Sequence, residues 1–300
     1  MSTIQLKQER SILASIFLSP DEPRLRAGWR LLSQLVLYIA FSIILFELWS
    51  ALGHESSEPS LIENRIMDLV AVTGSVFIAR RWLDKRSFQS LGVKIDRQTL
   101  VDIFGGIGIM FLVMGFVFAV MFGIGWLKFE GFAWQFDPFS TVLSSVVAFF
   151  VILVFVGWNE ELFSRGYQLQ TIASGLNLFW AAVLSSAVFG IIHLRNPNAT
   201  WVGATGIVFA GLFFVYAYAR TKQLWLPIGL HIGWNFCEGV VFGLPVSGME
   251  FYRLTRVQVN GPELWTGGPF GPEAGLIILP AILLGAILIY WFTRNRVIDN

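Results

Sequence analysis

The stretch Trp158-Asn159-Glu160-Glu161-Leu162-Phe163-Ser164-Arg165-Gly166 follows directly on residues 142–157, an almost wholly apolar run. Two adjacent carboxylates and an arginine therefore sit where the hydropathy places a membrane. A charge at the bilayer centre costs roughly 2.5–3.5 kcal/mol on insertion scales. Such side chains are expected to face a protein interior or a wet cavity, not lipid. On a helix Glu161 and Arg165 are four residues apart, share a face and can pair. Glu160 points about 100° away and is free for another task. Taken by itself, the stretch also reads as a helix end at the membrane surface with all three side chains in water; the rest of the chain argues against that.

The chain has 300 residues, 55% of them hydrophobic and 14% charged, with a mean hydropathy of +0.65. A soluble domain carries about 25% charge. The composition implies an all-α, polytopic membrane protein with one membrane domain, because helices satisfy their own backbone in lipid. A net charge of +1 argues against a nucleic-acid partner. The lone cysteine, Cys237, excludes an intrachain disulfide and a cysteine-based metal cage, and reads as a small packed side chain. The three histidines are His54, His193 and His231, and the last two fall inside apolar segments.

Residues 1–28 read as a cytoplasmic N-terminal segment. Lys7, Arg10, Arg24 and Arg26 accompany Ile4, Ile12, Leu13, Ile16 and Phe17, which can form a short amphipathic helix on the membrane surface. The apolar run there is too short and poorly flanked for a signal peptide, so the N-terminus is expected to be retained. Residues 29–300 read as the transmembrane domain. About eight spans are expected, near 30–52, 61–80, 100–127, 141–173, 178–195, 200–219, 224–243 and 273–293. With both termini in the cytoplasm, 16 of the 21 Lys and Arg residues fall inside and 5 outside. That bias supports an even number of spans in a plasma or inner membrane. Gly105, Gly106 and Gly108 read as helix-packing positions.

The spans carrying Glu160 and His193 form a hairpin around Ser174-Gly175-Leu176-Asn177. Counted outward from that turn at ~1.5 Å per residue, the carboxylates and His193 stand at nearly the same depth. The seventh span adds His231 and Asn235, four apart on one face, and Glu238 continues that face. Isolated polar groups in lipid need partners, and the nearest candidates are one another. Two chemistries fit. Glu160 can act as general base on a water, with His193 sharing the water or protonating the leaving amine, and His231 and Asn235 donating to an oxyanion. Alternatively the carboxylates and imidazoles can hold Zn²⁺, with Glu160, His193 and His231 as the ligands. The spacing leaves both open.

The patterns Glu160-Glu161-x-x-x-Arg165, Phe189-x-x-x-His193 and His231-x-x-x-Asn235, in this order, resemble the three motifs of the CPBP family, the CAAX proteases and bacteriocin-processing enzymes. Leu224-Trp225-Leu226-Pro227-Ile228-Gly229-Leu230 ahead of His231, and Gly267-Gly268-Pro269-Phe270-Gly271-Pro272-Glu273, fit as well. The resemblance covers about 141–292. It implies an eight-helix intramembrane endopeptidase in which Glu160 and His193 activate water. His231 and Asn235 would be the oxyanion donors, and Glu161 and Arg165 would complete and orient the first motif. The expected substrate is a membrane-attached or lipidated peptide or protein, although the resemblance does not carry a particular substrate over. The active site is expected to open toward the cytoplasmic side. The rival functions are a non-catalytic binding or immunity protein of the same fold and a proton-coupled transporter.

Overall fold

The computed structural model describes residues 11–20, 22–54 and 58–296. Ile4, Lys7 and Arg10 lie outside the described residues, as does the side chain of His54. The short N-terminal helix is α1 (Ile12–Phe17), capped by the Ser11 hydroxyl, which accepts from the Ala14 N–H. It leaves Ile12 and Leu13 exposed, as a helix lying in a membrane interface would. Next come α2 (Ala27–Trp49), α3 (Leu61–Ile78), α4 (Arg97–Gly123), a strand β1 (Leu127–Phe132) and α5 (Phe139–Glu161). Helix α5 continues through wide π-helical turns, Leu162–Gln168, into α6 (Leu169–Gly175). Then follow α7 (Leu178–Ile192), α8 (Trp201–Thr221), and α9 (Trp225–Asn235) with π-helical turns over Phe236–Val241. The chain closes with β2 (Thr255–Val259), α10 (Glu263–Thr266) and α11 (Ile278–Thr293).

The protein is an all-α, polytopic membrane protein. Helices occupy each of the eight expected segments. Five stretches, Ala27–Gly53, Arg97–Gly123, Phe139–Gly175, Leu178–Arg195 and Trp201–Thr221, are long and apolar enough to cross a membrane. Helix α11 is apolar but shorter.

Helix starts follow local chemistry. Ser60 and Glu63 form a reciprocal capping box at α3, and Asp96 caps α4. Asn177 caps α7 and Thr200 caps α8. Helix α9 is buried almost throughout and lies against α4. That crossing is close because its contact positions are glycines. A Cβ on Gly106 would stand 2.5 Å from the Leu230 nitrogen, and one on Gly229 only 2.3 Å from the Ile103 carbonyl oxygen. Gly229 and Gly233 are the small-xxx-small pair that lets two helices approach in a membrane. Of Gly105, Gly106 and Gly108, Gly106 packs on α9 and Gly105 on Phe292, whereas nothing lies within 4 Å of a Cβ on Gly108.

The two ends of the bundle differ in charge. At one end Asp84 is wholly buried and accepts from Arg30 and, at 2.9 Å, from Arg80. Arg30 also donates to Ser174 at 2.7 Å, tying α2 to the last turn of α6. At the same end the Trp225 indole donates to the Lys94 carbonyl and Arg220 to Thr293. The opposite end holds the connections 193–200 and 244–277. Here β1 and β2 pair antiparallel, with an irregularity between Phe129 and Gly131. Residues 128–140 and 244–272 fall between the expected spans, where the sequence carries no strand signal. Their pairing joins residues more than a hundred positions apart, which no local pattern reports.

Candidate active site

Glu160 and Glu161 are the last two residues of α5, immediately before the helix widens. Asn235 is the last residue of α9, again immediately before wide turns. Such π-type insertions recur at functional sites because they re-aim side chains. Adjacent residues on α5 thereby reach different surroundings. Glu161 is fully buried, whereas the Glu160 side chain is one-third exposed to a cavity of about 620 Å³.

Glu161 is the structural centre. Its Oε1 accepts from Arg165 at 3.0 Å and from His231 Nδ1 at 2.7 Å. The i,i+4 pairing expected from the sequence is therefore present. Arg165 is 1% exposed; it also donates to the Gly211 carbonyl at 3.2 Å and lies over the rings of Phe189 and Phe214. Burying a guanidinium in this way is tolerable only with a carboxylate partner and further acceptors. The same network orients His231, whose ring stacks on Phe214 with an interplanar angle of 5°. Because a carboxylate accepts, His231 carries its proton on Nδ1 toward Glu161 and turns Nε2 into the cavity.

His193 lies one residue past the end of α7. Its Nδ1 lies 2.7 Å from the Phe189 carbonyl oxygen, four residues back. A carbonyl can only accept, so Nδ1 holds the proton and the neutral ring presents a lone pair at Nε2. Both free Nε2 atoms face one oxygen. Glu160 Oε2 stands 3.8 Å from His193 and 3.6 Å from His231. These separations are long for direct hydrogen bonds and suit a bridging water. Oε2 has no hydrogen-bond partner among the described residues.

Asn235 is half-buried and lines the same cavity. The structure thus brings Glu160, His193, His231 and Asn235 to one cavity, with Glu161 and Arg165 packed behind. Further polar side chains line the cavity to which the sequence motifs assign no role, among them Asn159 and Glu273. Asn159 is 6% exposed with its Oδ1 unpartnered. Glu273 is 1% exposed, and its Oε1 accepts from the Ser247 backbone and hydroxyl. A polar residue next to Glu160, and an acid opening the last apolar run, were the signals available. Glu238, which continues the His231 face, is fully buried beside Glu273 and does not line the cavity. Among the described residues no three His, Cys, Asp or Glu side chains are placed to share one cation. The zinc alternative would use Glu160, His193 and His231, whose Oε2–Nε2 separations are 3.8 and 3.6 Å.

These helices define a class of membrane protein with polar side chains gathered inside its bundle. Residues 142–237, from α5 through α9, match the family model described as type II CAAX prenyl endopeptidase Rce1-like. A Bacillus subtilis (strain 168) protein described as "Putative membrane peptidase YdiL" is 30% identical over 122 residues. That match spans 41% of this chain and 45% of the relative. Both comparisons agree with the resemblance read from the three motifs.

Proposed function

We propose that the protein is an intramembrane endopeptidase that hydrolyses a peptide bond in a membrane-attached peptide or protein. One observation carries this reading: two imidazole nitrogens and a carboxylate oxygen face a common point, at separations of 3.6–3.8 Å, inside a cavity of a polytopic membrane protein. The peptidase names attached to the similar family and relative support it.

A water between Glu160 Oε2 and His193 Nε2 would lose its proton to Glu160 as its oxygen attacks the scissile carbonyl. The tetrahedral oxyanion would be met by the Asn235 amide and by His231, which takes a second proton at Nε2 from solvent before the substrate binds, donates it to the oxyanion as a hydrogen bond and keeps it through the turnover. Glu161 would steady that imidazolium through Nδ1, and Arg165 would keep Glu161 ionised. Collapse of the intermediate would return the proton to the leaving amine. This sequence of steps needs no metal. The plasma or inner membrane is the expected location, with both chain termini in the cytoplasm by the excess of basic residues.

The test compares membranes containing the unmodified protein with membranes containing Glu160→Ala. Membrane-attached proteins should persist at full length in the variant and be shortened in its presence. Identical profiles would favour a non-catalytic member of the same fold.

A further inference from the structure

The cavity that holds Glu160 is not symmetric between the two ends of the bundle. Away from the carboxylate its wall is formed by Arg65 at the start of α3, by Arg195 after α7, and by Ser247 and Glu250 in the connection after α9. All of these belong to the end with β1 and β2. The polar cluster of the basic end stays out of the lining: Leu35, Phe163 and Ser164 reach toward it, but Arg30, Arg80, Asp84, Ser174 and Arg220 do not line the cavity. That end is instead closed by the Arg30–Asp84–Arg80 cluster and by the bond from Arg30 to Ser174. Tyr167 and Leu162, both wholly buried, fill the space between that cluster and the carboxylates.

The basic end carries most of the lysines and arginines, which places it in the cytoplasm. We infer that the scissile bond reaches Glu160 from the opposite, non-cytoplasmic face of the membrane, through the opening rimmed by Arg195 and Glu250. This departs from the cytoplasmic opening expected from the sequence. The reason is physical: depth along the helices was legible from residue counts, but not which end the intervening side chains fill.

The walls also limit the substrate. Phe149, Ile152 and Phe251 line the cavity on the rim side of Glu160. An extended segment entering there would bury apolar side chains next to the cleaved bond. Its charged groups would stay near the rim, where Arg195 and Glu250 meet water. The substrate class is therefore a membrane-attached protein that displays such a segment on the non-cytoplasmic face. This inference rests on the protease reading for its chemistry, but its geometry can be tested alone.

Cys237, the lone cysteine, is 2% exposed and contributes little background to thiol labelling. Arg195→Cys and Glu250→Cys, at exposed rim positions, and Lys85→Cys, at the exposed basic end, are each treated with a membrane-impermeant maleimide in intact cells. Both rim cysteines should label before lysis and Lys85→Cys only after it. Labelling of Lys85→Cys in intact cells, or protection of either rim cysteine until lysis, overturns the inference. Labelling does not depend on turnover, so a failure here is distinct from a failure of the protease reading.

Discussion

One oxygen of Glu161 lies 2.7 Å from His231 Nδ1 and 3.0 Å from the Arg165 guanidinium, so a single buried carboxylate joins α5 to α9. Glu160, its neighbour in sequence, makes no such bond and faces the cavity. The division of labour between adjacent glutamates is the feature from which the testable consequences follow.

Arg165→Ala strands the Glu161 charge in a site with no access to water. Breaking one partner of a buried pair costs ~3–5 kcal/mol. The variant should show lower folded yield and a lower melting temperature in detergent, with activity falling alongside. Arg165→Lys should rescue only part of the loss. A lysine keeps the charge but cannot reproduce the fork that reaches Gly211 and covers Phe189 and Phe214. Unchanged melting and cleavage in Arg165→Ala would show that the pair contributes nothing.

The α4–α9 crossing predicts a contrast between two glycines of similar sequence context. Gly229→Ala places a Cβ against the Ile103 backbone, which cannot yield as a flexible side chain can. Overpacking of this kind costs ~1–3 kcal/mol. Gly108→Ala meets nothing within 4 Å and gains about 1 kcal/mol of helix propensity. Thermal unfolding of both in the same detergent should shift in opposite directions.

A water held by Glu160 and His193 predicts that cleavage by the purified protein survives excess chelator, and that elemental analysis finds no stoichiometric zinc. Loss of activity with chelator and its recovery with Zn²⁺ would assign the three side chains to a metal instead.

The oxyanion assignment predicts graded losses. His193→Ala should lower the rate by about 10²–10⁴-fold, as removal of a proton-transfer group does. Asn235→Ala should cost about 10²–10³-fold, the range for one oxyanion donor. Neither should lower the melting temperature as Arg165→Ala does, because His193 and Asn235 border a cavity and are only partly buried. Single-turnover cleavage measured beside thermal unfolding separates the two effects.

Much of this arrangement was legible in the sequence. The helix periodicity of Glu161 and Arg165, and the similar distances of Glu160 and His193 from the turn at residues 174–177, brought the right side chains to nearly one depth. Hydropathy located the helices because lipid demands long apolar stretches. Three things were not legible. The wide turns after Glu161 and Asn235 have no residue signature and appear only when the backbone is traced. The β1–β2 pairing depends on contacts across most of the chain. The role of Phe214 as the platform for both Arg165 and His231 depends on which face α8 turns inward, and α8 is apolar on every side.

The central claim is that Glu160 is the base. Glu160→Gln keeps the size and most of the hydrogen bonding of the side chain and removes its capacity to take a proton from water. Measured as cleavage of a membrane-attached substrate identified by the membrane comparison, it should fold and melt like the unmodified protein and cut about 10²–10⁴-fold more slowly. Glu47→Gln in α2 is the matched control and should cut normally. Wild-type cleavage by Glu160→Gln would contradict the account and leave the cluster as a structural one.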